Sequence, residues 1–118
     1  MENMGGGAIY LSGGNDTVTG CNFTDCKASI SGGAIYLLSN NTVVNNSNFS
    51  NCKCMEFEGG AIYFNGENNI VSDCSFINNF AEYWGGDISL YGENNIVINC
   101  NFMNSTSYGT GGAIHVGC

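Results

Sequence analysis

The sequence repeats itself about every 26 residues, and that period constrains the fold more than any other feature. Gly-Gly pairs begin at Gly6, Gly32, Gly59, Gly85 and Gly111, at spacings of 26, 27, 26 and 26. A phenylalanine follows the first glycine by seventeen residues in each complete unit, at Phe23, Phe49, Phe76 and Phe102. Units this short cannot bury an apolar side alone and must stack on one another. The 118 residues thus read as a single domain over 1–118, with coils 6–31, 32–58, 59–84 and 85–110 and a partial fifth at 111–118. The one change of length lies between Phe49 and Gly59, which marks Lys53 to Glu58 as an outward, variable loop.

Within each unit, Ile9, Ile35, Ile62, Ile88 and Ile114 alternate with Leu11, Leu37, Phe64, Leu90 and Val116, while the intervening sites accept Asp87, Ser89 and His115. Period two with one polar-tolerant face predicts a half-buried strand. A second strand carries Val18, Val44, Val71 and Val97, and ends at Gly20, Asn46, Asp73 or Asn99, types that tolerate a left-handed backbone. A third strand points Cys21, Ser47, Cys74 and Cys100 inward with the phenylalanines, before a further bend at Asp25, Asn51, Asn78 and Asn104. Three strands and three bends per unit predict an all-β solenoid with like residues superimposed at about 4.8 Å. No six-residue period is present, as a left-handed form would want, and four leucines cannot supply a leucine-rich repeat. The expected fold is therefore a right-handed parallel β-helix of about 26 residues per coil, with four coils plus a partial fifth.

Charge excludes one class of partner. Two lysines, no arginine and ten acidic residues give a net charge of -8, which opposes nucleic-acid binding. No apolar run is long enough to span a membrane, and Met1 to Met4 show no signal-peptide pattern. The seven cysteines have no CxxC or CxxH spacing, so no zinc site is expected.

The paired GGAI at Gly32 to Ile35 and Gly59 to Ile62, with the following Phe-x-x-Asn type motif, resembles the repeats of Chlamydia-type polymorphic outer-membrane proteins. Similar repeats occur in adhesin-like surface proteins of methane-producing archaea. The motif's asparagine is literal at Asn79 and replaced by Cys26, Cys52 and Ser105, and Asp87 once replaces the alanine of GGAI. The resemblance covers residues 5–118 and implies a non-enzymatic, adhesin-like rod that is extracellular or at the cell surface. It implies a host or cell-surface protein or glycan as partner, and no cofactor.

Several groups are candidates for chemistry. Cys26 with Cys52 and Cys74 with Cys100 would lie one strand spacing apart, within disulfide reach, or else serve as small inward side chains. Tyr10, Tyr36 and Tyr63 form an outward column, continued by Ser89 and His115, that suits contact with a sugar or protein surface or simple cross-strand stacking. Glu67 and Glu93 stand in identical GENN loops and read as solvated charges rather than calcium ligands. Right-handed β-helices also host polysaccharide-degrading enzymes, but Lys27 and Lys53 sit in the predicted loop and Asp73 and Asp87 on different sides of the coil, so no catalytic residue is assigned. Carbohydrate binding or polysaccharide degradation is the alternative function. Six Asn-x-Ser/Thr sequons, at Asn15, Asn22, Asn40, Asn45, Asn48 and Asn104, are acceptors for glycosylation if the chain is exported, although repeat composition explains most of them. Neither end reads as capped, so the chain is expected to be part of a longer array or to associate end to end.

Overall fold

Residues that tolerate a left-handed backbone mark the corners of the chain path. In the coil that opens at Gly59 these are Gly59 (φ 73°), Asn68 (59°), Asp73 (53°) and Asn78 (57°), and the neighbouring coils again use Gly, Asn or Asp at the equivalent places. Other L-residues would lose roughly 1–2 kcal/mol at each such position, which accounts for the asparagine-rich composition.

The computed structural model describes residues 7–117; Met1 to Gly6, with the glycine that opens the first predicted coil, and Cys118 lie outside the described residues. The first coil holds β1 (Ile9–Leu11), β2 (Thr17–Thr19), β3 (Asn22–Thr24) and β4 (Lys27–Ala28). The second holds β5 (Ile35–Leu37), β6 (Val43–Asn45), β7 (Asn48–Ser50) and β8 (Lys53–Cys54). The third holds β9 (Ile62–Asn65), β10 (Ile70–Ser72), β11 (Ser75–Ile77) and β12 (Phe80–Ala81). The fourth holds β13 (Ile88–Tyr91), β14 (Ile96–Ile98), β15 (Asn101–Met103) and β16 (Thr106–Ser107), and β17 (Ile114–Val116) opens the fifth. Each strand pairs in parallel with its equivalent one coil away, giving four sheets ordered β1-β5-β9-β13-β17, β2-β6-β10-β14, β3-β7-β11-β15 and β4-β8-β12-β16.

The register superimposes like on like, as the period requires: Ile35 on Ile62, Val44 on Val71, Phe49 on Phe76. Phe23, Phe49, Phe76 and Phe102 form a near-parallel stack with ring centroids 4.8, 4.8 and 5.0 Å apart. With the Ile and Val columns they fill the interior. Buried asparagines complete the corners. Asn79 accepts from the Cys52 N–H at 2.8 Å and donates to the Phe49 carbonyl, and Asn69 accepts from the Thr42 N–H and donates to the Ser39 carbonyl, both at 2.9 Å. These bonds satisfy backbone groups that the ladders leave free at the turns.

The coil differs from expectation in three places. It has a fourth sheet, so Lys27 and Lys53 belong to paired strands rather than to a loop. The extra residue of the second coil lies among Met55, Glu56 and Phe57, because Ala28 pairs with Cys54 and Ser31 bridges Glu58; Cys54 and Glu58 are buried. Asp87 is not on the outer face but wholly buried, like Ala34 and Ala61 at the same position. The strand starts one residue later, at Ile88, so the in-and-out alternation has not yet begun there.

Coil stacking brings backbone into contact at the second glycine of each pair. A Cβ on Gly60 would collide with the Gly86 carbonyl and the Phe80 backbone, whereas one on Gly20 (φ 64°) meets nothing within 4 Å. Gly60→Ala is therefore expected to abolish cooperative folding or shift the urea midpoint severely, while Gly20→Ala costs only about 1 kcal/mol of left-handed strain. Equal, small effects in urea titrations would contradict the close coil-on-coil approach.

Candidate functional site

The outer face of the β1-β5-β9-β13-β17 sheet carries a continuous path of rings. Alternation turns Tyr10, Tyr36 and Tyr63 outward, and register places them above one another with centroids 5.2 and 4.9 Å apart and planes 13° off parallel. Tyr10 is exposed, whereas Tyr36 and Tyr63 are half-buried. Burial pushes both of the inner phenols above their ordinary range, helped by the neighbouring tyrosines and the Glu58 charge.

By sequence the tyrosine column breaks at Ser89, which is completely buried. Tyr91, two residues on and thus on the same face, brings its ring to 5.7 Å from Tyr63 and 6.0 Å from His115. His115 is half-buried and stacks on Trp84 at 5.1 Å and 19°, so it is not a free exposed side chain. From Trp84 the path turns the corner to Tyr83 at 6.3 Å and on to Phe57 at 6.1 Å.

Glu58 holds the bend of this path together. Its backbone bridges Ser31 on one side and Trp84 on the other, and its side chain is only 7% exposed. Ser89 Oγ donates to Glu58 Oε1, and the Tyr91 hydroxyl donates to Oε2 at 2.9 Å. Two hydroxyl donors thus stabilise a buried carboxylate and fix the Tyr91 ring. Burial, then the bond to Glu58, pushes the Tyr91 phenol well up. Sequence reasoning missed Glu58 because the extra residue beside it hides its register with Ser31 and Trp84. Tyr91 was within reach, since period two from Ser89 points to it.

The other candidate groups lie elsewhere. Cys26, Cys52, Cys74 and Cys100 are free thiols, as are Cys21 and Cys54. Burial pushes the Cys52 thiol up to about 12 and that of Cys74 to about 11, so neither is a nucleophile near neutral pH. Lys27 and Lys53 line a shallow groove with Asp25, Cys26 and Asn51. Glu67, Glu93 and Asp73 are exposed. Among the described residues no three His, Cys, Asp or Glu side chains converge as metal ligands, and no helix is long and apolar enough to cross a membrane. Asp87 lies inside the coil, where it accepts from Asn79 Nδ2 at 2.8 Å and from Ser105 Oγ.

A family model described as "Right handed beta helix region" matches residues 1–117. No curated protein and no solved structure gives a significant match.

Burial raises the Asp87 carboxyl to about 6 from its usual 3.8, against the opposing pull of its bonds from Ser105 and Asn79. The folded state then holds the proton more tightly than the unfolded chain, so this group's contribution is most favourable below pH 4 and falls as pH rises to 6. The difference is on the order of 3 kcal/mol. Asp87→Asn keeps the shape and removes the titration. Its stability relative to the parent chain should rise by that amount between acid and neutral pH in urea unfolding, and a difference independent of pH would refute the assignment.

Proposed function

Because the chain belongs to the right-handed β-helix family, with its work therefore open to either surface contact or catalysis, we propose that it is a non-enzymatic adhesive module acting at a cell surface. The observation that carries this reading is the run of aromatic rings from Tyr10 to Phe57. Its members Tyr10, Phe57, Tyr83 and Trp84 are 55, 45, 49 and 38% exposed. Exposed apolar residues gathered in this way mark contact surfaces, and tyrosine and tryptophan supply large rigid contact area at low entropic cost. The likeness of the GGAI units to those of adhesin-like surface proteins supports the same role.

The interior does no chemistry in this scheme. It stiffens the stack, while the outer face and the Met55–Phe57 corner meet the partner. Lys27 and Lys53 lie in a different groove from the buried carboxylates of Glu58 and Asp87, which supports contact over catalysis. A carbohydrate-binding reading is favoured by one feature of the same face: Tyr10 is exposed, as a ring that packs against a sugar must be.

Tyr36→Ala with Tyr63→Ala is expected to lower adherence to cells or glycan arrays by about tenfold or more, as loss of two aromatic contacts implies. Circular dichroism would retain the parent spectrum. Unchanged adherence would sink the role of this face. Release of unsaturated or reducing sugars from uronic-acid polymers at any pH would overturn the non-enzymatic assignment.

A further inference from the structure

The corner that carries the extra residue forms a groove of distinct chemistry. Met55, Glu56 and Phe57 line one wall, and Glu82 and Tyr83 of the next coil line the other. The Phe57 and Tyr83 rings are inclined at 40° with centroids 6.1 Å apart, so they open as a wedge and do not stack flat. Met55, Phe57 and Tyr83 are all exposed.

The rings are mounted on paired backbone. The Phe57 N–H donates to the Ile30 carbonyl, and its own carbonyl accepts from the Tyr83 and Trp84 N–H groups. Above Tyr83 the next coil has Gly109, packed so closely that a Cβ there would strike the Tyr83 carbonyl. Glu58, Ser89 and Tyr91 brace the adjoining Trp84 corner from beneath. This is a formed surface, supported from below.

We propose that this groove receives a lysine or arginine side chain of a partner polypeptide. The lining combines two aromatic rings, whose quadrupoles attract cations, with the carboxylates of Glu56 and Glu82. A net charge of -8 makes the whole molecule attractive to a basic partner, and the chain's own two lysines line a separate groove with Asp25 and Asn51. An anionic ligand would meet repulsion on both walls. The proposal rests on the reading of this corner as contact surface and supplies the partner's chemistry.

The test uses the full chain with three probes: acetylated trilysine amide, acetylated triglutamate amide and a neutral trisaccharide. Nuclear magnetic resonance titration should show trilysine shifting the Met55 methyl, Phe57 and Tyr83 signals, with triglutamate inert. Glu56→Gln with Glu82→Gln, or Tyr83→Ala alone, should weaken trilysine binding about tenfold. Met103→Ala, on the exposed face of β15, should leave it unchanged, and raising ionic strength from about 0.05 to about 0.5 M should weaken it. Equal trilysine affinity in the glutamine variant, or shifts spread over Glu67 and Glu93 without the groove, overturns the proposal. Shifts at Phe57 and Tyr83 with the trisaccharide alone overturn the cationic partner and leave the contact surface standing. A groove unmoved by all three probes overturns the proposal and the contact role of this corner together.

Discussion

Parallel hydrogen bonding between equivalent residues of successive coils is the constraint on which this molecule depends. Once Ile35 lies over Ile62 and Phe49 over Phe76, every other residue of those coils has its neighbour assigned. The ladder bonds are individually modest, because each replaces bonds to water. Their consequence is geometric. They hold like side chains one strand spacing apart, where apolar columns gain contact and like charges lose it. The interior is therefore built of repeated Ile, Val and Phe, while Glu67 and Glu93 are kept on exposed turns where solvent screens them.

The same geometry explains what sequence alone could show. Residues that recur in every coil announce their place through the period: the Phe stack, the Ile and Val columns, the left-handed corners at Asn46 or Asp73, and the outward tyrosines were all legible. What recurs weakly was not. The strands Lys27–Ala28, Lys53–Cys54, Phe80–Ala81 and Thr106–Ser107 are two residues long, too short for an alternation to register. Asp87 precedes its strand, so extending period two backwards from Ile88 gave the wrong face. Glu58 follows the extra residue, which hides its place in the repeat, although its register survives through the bridges to Ser31 and Trp84.

Departures from the repeat come in complementary groups. Asp87 stands where other coils have alanine, and its bonds come from Asn79 and Ser105, which stand where the first two coils have Cys26 and Cys52. Glu58 stands at the position of Ser31 and Trp84, and its carboxylate is bonded by Ser89, which interrupts the tyrosine column, and by Tyr91, which replaces the lost ring. A lone polar substitution in a column would leave a buried group unsatisfied, at roughly 1–3 kcal/mol. A matched set avoids that penalty and gives one part of the solenoid an identity that its neighbours lack.

Both sets belong to the third and fourth coils and their junction with the second, where the extra residue among Met55, Glu56 and Phe57 also lies. An insertion at a corner disturbs no column, since Phe57 and Glu58 keep their backbone pairing to both neighbouring coils, and it leaves the Phe57 ring beside Tyr83. The Glu58 carboxylate then ties the new corner to the outer sheet through Tyr91. The rigid stack thus confines variation to corners and matched sets, and the surface those changes create extends the ladder of Tyr10, Tyr36 and Tyr63 into a broader aromatic face. In a scaffold that repeats itself, a surface distinct from its neighbours can arise only where the repeat is broken.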